Sequence, residues 1–279
     1  MTLGNIFTTI IVFVVIVLIH EFGHFAVAKL SGIRVEEFAI GMGPKVFGKK
    51  KGETLYSVRL LPIGGLCKLT GEDGDSFDDK SFSQKSVPVR MAVIFFGPLM
   101  NFLLAVLIFS LVIIQSPIIS EVIIDKPAYN AGVLKGDKIL KINDSNVKEW
   151  DEVKPLIQNS ESESILLTVK RKNEIKEISI KPMVDDINEG AIIGIRPALR
   201  IKSFSITQGV KTTISIAGSM FDFLFKLITK RGTAEDVSGV VGIFVIISET
   251  VKYGLLYVLD LTAILSLNLG IINLLPIPA

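Results

Sequence analysis

Three stretches of the chain are almost free of charge. Residues Met1 to Ile19 carry no charged side chain, Met91 to Ser120 carry none, and Tyr253 to Ala279 carry only Asp260. A helix needs roughly 20 apolar residues to cross a hydrocarbon core of about 30 Å. The pattern therefore predicts transmembrane helices within 1–30, 91–120 and 253–279. Between the second and third, residues 121–200 change character: charge becomes dense, and the short β-type runs "EVIID", "SILLTVKR" and "EIKEISIKP" alternate with turn signals. These are the marks of a small water-soluble domain. In 201–252, the segment Phe204 to Gly232 has a helical pattern interrupted by Lys211, Asp222 and Lys226, which predicts an amphipathic helix lying at the interface. The apolar Val237 to Ile247 is too short to cross. The expected fold class is an α-helical membrane protein with three transmembrane helices and an inserted soluble domain.

Charge orients these spans. Between Lys29 and Arg90 there are eleven Lys and Arg against eight Asp and Glu, and nothing basic precedes the first span. Basic residues in short loops stay cytoplasmic, so 31–90 is expected inside and 121–200 outside. Ala26-Val27-Ala28 imitates a signal-peptide cleavage site, but the basic leading region of such a peptide is missing, which favours an anchored helix. A formal net charge of +2 argues against a nucleic-acid partner. Cys67 stands alone, so the chain has no internal disulfide and no cysteine-built zinc site.

Both histidines of the chain, His20 and His24, lie with Glu21 in "IVLIHEFGHFAVAK" at the end of the first span. Positions i and i+4 share a helix face, so the two imidazoles can converge on one zinc ion at about 2.0–2.1 Å. Glu21 flanks them as a general base for a zinc-activated water. Ionisable groups inside a span are costly and by default functional. A catalytic zinc takes three protein ligands, so a partner is needed from elsewhere. With the second span reversing direction, the C-terminal ends of the first and third reach a similar depth. That brings "NLLPIPA", Asn273 to Ala279, near the histidines, and Pro276 and Pro278 break the helix there.

Five motifs in order, "HEFGH", "PIGG" at 62–65, "GPLMN" at 97–101, "SGVVGI" at 238–243 and "NLGIINLLPIPA" at 268–279, resemble the site-2 intramembrane zinc metalloproteases. The bacterial branch containing the sigma-E regulator protease is the most similar. "KPAYNAGVLKGDKILKINDSNV", Lys126 to Val147, resembles the centre of a PDZ domain, and it occurs once.

The resemblance implies regulated intramembrane proteolysis of single-span membrane proteins, anti-sigma factors or remnant signal peptides, with Zn2+ as cofactor. His20 and His24 would bind the metal and Glu21 would be catalytic. Asn273, Gly64 and Gly65 would serve substrate, the two glycines within a membrane-entering β loop that pairs with an extended chain; Leu66 departs from the aromatic often found after them. The PDZ-like domain would bind peptides. In that family "PIPA" runs on into Leu-Asp-Gly, whose Asp is the third zinc ligand, and then into a fourth span. These residues stop at Ala279, so they are expected to hold two zinc ligands of three. Asp260 does not replace the third, lying about 20 Å up the helix from Asn273. The alternative is a non-catalytic membrane adaptor that captures extracytoplasmic peptides through its PDZ-like domain.

Overall fold

A computed structural model describes residues 3–72, 74, 78–160, 163–185, 190–229 and 240–275. Seven helices follow in chain order: α1 (Leu3–Leu30), α2 (Val87–Phe109), α3 (Pro127–Asn130), α4 (Val153–Gln158), α5 (Ile206–Ile228), α6 (Val240–Val251) and α7 (Leu255–Leu274). Between them run the strands β1 (Val35–Lys51), β2 (Thr54–Leu69), β3 (Leu111–Val122), β4 (Lys138–Ile142), β5 (Ser145–Asn146), β6 (Ile165–Arg171), β7 (Glu174–Ile180), β8 (Met183–Asp185), β9 (Gly190–Ile192) and β10 (Ile195–Phe204). They form two compact units, Met1–Val112 with Phe204–Ala279, and Ile113–Ser203.

The first unit is a helix bundle carrying a small sheet. Among the described residues, α1, α2 and α7 are the three helices long and apolar enough to cross a membrane. Hydrocarbon offers the backbone no partner, so such runs close their hydrogen bonds within a helix. Their hydroxyls do likewise: Thr9 donates to the carbonyl of Asn5 at 2.8 Å and Thr262 to that of Val258 at 2.6 Å. Ala105, Ile108 and Phe109 of α2 interlock with Ala263, Leu267 and Ile271 of α7. Ile216, Ala217 and Met220 of α5 join that cluster, so the helix expected at the interface buries one face in the bundle. Its other face leaves Ile214, Phe221 and Phe225 exposed. Helix α6, the short apolar segment, seats Ile247 against Val12 and Ile16 of α1 and Val258 of α7.

The charge-free run 91–120 departs from its expectation as a single span. The helix starts earlier, at Val87, and stops at Phe109, and Leu111–Val122 is strand β3. A short apolar strand can lack charge as a span does, and the β-branched Val112, Ile113, Ile114, Ile118 and Ile119 favour an extended chain. The second unit starts at Ile113 and ends at Ser203, wider than 121–200.

Strands β1 and β2 each fold into two segments. Phe38 pairs with both Cys67 and Tyr56, and Ala39 with both Leu66 and Ser57, while Lys49 pairs with Tyr56. The segment order is thus 45–51, 54–59, 35–40, 65–69. The outer segment 65–69 lies beside α1, where Cys67 and Leu69 pack with Ala28 and Val93.

The second unit is the PDZ-like domain. Its main sheet has the order β10-β3-β4-β6-β7, with β5 pairing β4. Ile119, Ile139, Ile142, Ile165, Leu167 and Val169 fill the core, and α4 covers it through Val153 and Ile157. Asp137, its side chain 1% exposed, is held by Arg171 at 2.8 Å. Burial opposes its charge, but hydrogen bonds from Arg171 and from the Leu134 backbone outweigh that and hold its carboxyl below the usual range.

Candidate metal centre

The i, i+4 spacing on α1 brings the two imidazoles together. The Nε2 atoms of His20 and His24 face each other at 3.1 Å, with ring planes 78° apart. Two nitrogens at 2.0–2.1 Å from one tetrahedral ion lie roughly 3.3 Å apart, so the pair fits zinc with little movement. His20 is buried, as the interior face of a helix bundle requires.

The neighbouring helices hold both rings. The Nδ1–H of His24 donates to the carbonyl oxygen of Val93 on α2, 2.7 Å away. A carbonyl only accepts, so this bond leaves the Nε2 lone pair of His24 free for a metal. Gly97, one turn further along α2, makes room for the ring: a Cβ there would collide with Nε2 and Cε1 of His24. At His20, the Asn101 amide of α2 lies 3.2 Å from Nδ1. Asn273 of α7 brings Nδ2 to 3.4 Å from His20 Nε2, so the third span does reach the histidines. Pro276, Pro278 and Ala279 lie outside the described residues, as does Ser238. Among the described residues, no cluster of three or more His, Cys, Asp and Glu forms at this point.

Glu21 opens onto a cavity of about 380 Å³ shared with His24, Gly65, Cys67, Glu72 and Val93. The backbone N–H of Cys67 hydrogen-bonds its carboxylate. Gly65 is required by the close approach of β2 to α1, since a Cβ there would sit 2.7 Å from Cγ of Glu21 and 3.0 Å from Cγ1 of Val17. Gly64 has a different task. Its φ of 86° turns the strand against Met42, and it is not among the residues lining this cavity. Burial, reinforced by Glu21 and Glu72, pushes the Cys67 thiol up to about 12, so it stays neutral.

The sequence alone marks no role for Asn101, Gly97 and Val93, although two of them stand in the "GPLMN" motif. A polar side chain in a charge-free span was the available signal for Asn101. Nothing in the sequence marks a carbonyl such as that of Val93.

Comparison with known proteins bears on the whole chain. The model of peptidase family M50 matches residues 8–279. A Clostridium acetobutylicum protein, provisionally named as a zinc metalloprotease, is 36% identical over 100% of this chain and 84% of its own length. The regulator of sigma-W protease RasP of Bacillus subtilis is 27% identical over 100% of this chain and 88% of its own. The PDZ domain of an SdrC-like protein from Listeria innocua aligns at 28% identity and a TM-score of 0.27, covering 30% of this chain and 93% of that domain.

Proposed function

The chain belongs to peptidase family M50, a membrane zinc metalloprotease family, and from that premise we propose that it cuts single-span membrane proteins within their membrane helices. Anti-sigma factors and remnant signal peptides are the substrates of this class that the reading favours. The relative named as regulator of sigma-W protease supports the former. The observation that carries the proposal is the convergence of His20 and His24 with Asn101 and Asn273 inside a bundle, next to a cavity that exposes Glu21.

His20 and His24 would hold the zinc through Nε2. Zinc, when bound, polarises the scissile carbonyl and makes water nucleophilic near neutral pH. Glu21 takes the proton of the attacking water on its carboxylate and returns it to the leaving amine nitrogen. The Cys67 N–H orients that carboxylate. Asn273, from α7, positions the substrate carbonyl beside the histidines.

A peptide bond in a helix is shielded by its own turns, so the substrate must be extended to react. The outer segment 65–69 of β2 supports this step: it is a sheet edge beside Glu21, able to take an extended substrate as an added strand. Gly65 lets that strand run close to the base. The PDZ-like domain, on the extracytoplasmic side by the charge of the 31–90 loop, binds peptides in the groove between α4 and β10. An adaptor would need that groove alone and would leave the histidine pair without a purpose.

The test is Glu21→Gln in the detergent-purified protein. Zinc per chain should be unchanged while cleavage of a single-span substrate is lost; persistent cleavage would remove Glu21 as the base.

A further inference from the structure

Asn101 is an amide in the middle of a charge-free helix, 0% exposed, with an Oδ1 atom that has no hydrogen-bond partner among the described residues. A buried acceptor without a partner is costly, so a span has no structural reason to keep one. Its Nδ2 lies 3.2 Å from Nδ1 of His20. Its main-chain oxygen accepts from the Ser266 hydroxyl of α7 at 3.1 Å, which anchors that stretch of α2 between α1 and α7.

The two rings of the pair are held differently. His24 is locked by a carbonyl in one tautomer, Nδ1–H, with Nε2 bare. His20 meets an amide, which can serve either tautomer. With Nδ2–H donating to Nδ1, the ring proton sits on Nε2 and points at the bare Nε2 of His24, 3.1 Å away, and the Asn273 amide beside the same Nε2 then turns its oxygen toward that proton. After a half turn of the amide, Oδ1 accepts from Nδ1–H and the Nε2 of His20 is bare as well. Only the second arrangement offers two lone pairs to one cation.

We propose that Asn101 is the positioning residue of the metal centre, a two-way amide that sets the His20 tautomer: Nε2–H when the site is metal-free and Nδ1–H when both histidines bind metal. The ring stays neutral in both states: one proton leaves Nε2 for solvent and one is taken up at Nδ1. The unpartnered Oδ1 is then the acceptor held for the metal-bound state. This rests on His20 and His24 being the ligands.

Only two histidines exist in the chain, so its 15N-histidine NMR spectrum contains two imidazoles and reports both tautomers directly. The measurement is that spectrum, with and without zinc, together with zinc affinity, for the native protein, Asn101→Leu, Asn101→Asp and His20→Ala. In the native protein, zinc should move the His20 proton from Nε2 to Nδ1 and leave His24 at Nδ1–H. Asn101→Leu should bind zinc about 10- to 100-fold more weakly, with His20 in mixed tautomers. Asn101→Asp, whose carboxylate only accepts, should restore the affinity and hold metal-free His20 as Nδ1–H. If Asn101→Leu fails to fold, the metal-free spectrum of Asn101→Asp decides alone, and a His20 tautomer unchanged from native overturns the proposal. Native affinity and native shifts in Asn101→Leu overturn it equally. Native zinc affinity in His20→Ala would instead remove the ligand assignment on which the proposal stands, a result distinct from either.

Discussion

His24 of α1 donates from Nδ1 to the carbonyl oxygen of Val93 on α2 at 2.7 Å, so one ring of the metal centre is oriented by the backbone of a neighbouring helix. That bond exists because Gly97 lets α2 pass across the face of the ring. Gly97→Ala should therefore expel the His24 ring. The backbone of a packed helix cannot retreat cheaply, and overpacking of this kind costs about 1–3 kcal/mol. Zinc per chain should fall well below that of the native protein, with a modest loss in thermal stability. Native zinc content in Gly97→Ala would show that His24 is held some other way.

Gly65→Ala separates the base from the metal. The new Cβ would press on Cγ of Glu21 and Cγ1 of Val17, and it comes no closer than 3.4 Å to either histidine. Zinc content should stay native while kcat drops at least 10-fold, because a carboxylate moved by about 1 Å no longer meets the proton that it must take. Loss of zinc in this variant would mean that β2 supports the histidines as well.

The His20, Glu21 and His24 group was legible because an i, i+4 spacing and an apolar setting are both local facts. The nearness of Asn273 was legible from topology, since two spans running in one direction end at one depth. Asn101 was not, because its meaning lies in a contact across 81 positions with His20. The end of α2 at Phe109 was not legible either. A span and an apolar strand share one signature, and only the PDZ-like sheet claims Leu111–Val122 as β3. Nor does alternation in β1 disclose that Phe38 pairs with Cys67 on one side and Tyr56 on the other.

The PDZ-like domain should lose stability in acid through Asp137. Its carboxyl is held below the ordinary value by Arg171 and the Leu134 N–H, against the opposing effect of burial. A depressed carboxylate contributes its full stability above the unfolded pKa of about 3.9 and loses it as pH falls through the folded pKa. Unfolding of this domain, followed by the fluorescence of the chain's single tryptophan, Trp150, should thus be insensitive to this pair between about pH 7 and 5 and ease steeply below about 4. Asp137→Asn should lower stability at pH 7 and flatten the acid limb. An acid limb of native steepness in Asp137→Asn would assign the loss to other carboxylates.

Trp150 also reports on the peptide groove. A cavity of about 350 Å³ is lined by Trp150, Val153 and Ile157 on one side and by Ile193, Ile195 and Arg196 on the other. Strand β10 is the edge of the main sheet, so its backbone can pair with an added strand while the apolar wall takes alternate side chains. Peptides with apolar C-terminal residues should shift Trp150 emission to the blue in a saturable way. Val153→Lys places a charge in the wall and should weaken that binding at least 10-fold, with the zinc content of the first unit unchanged. It should also slow cleavage of a substrate presented with its extracytoplasmic peptide, while cleavage of the same substrate lacking the peptide stays native. Equal slowing of both substrates would show that the groove acts on the bundle in general and does not select what is cut.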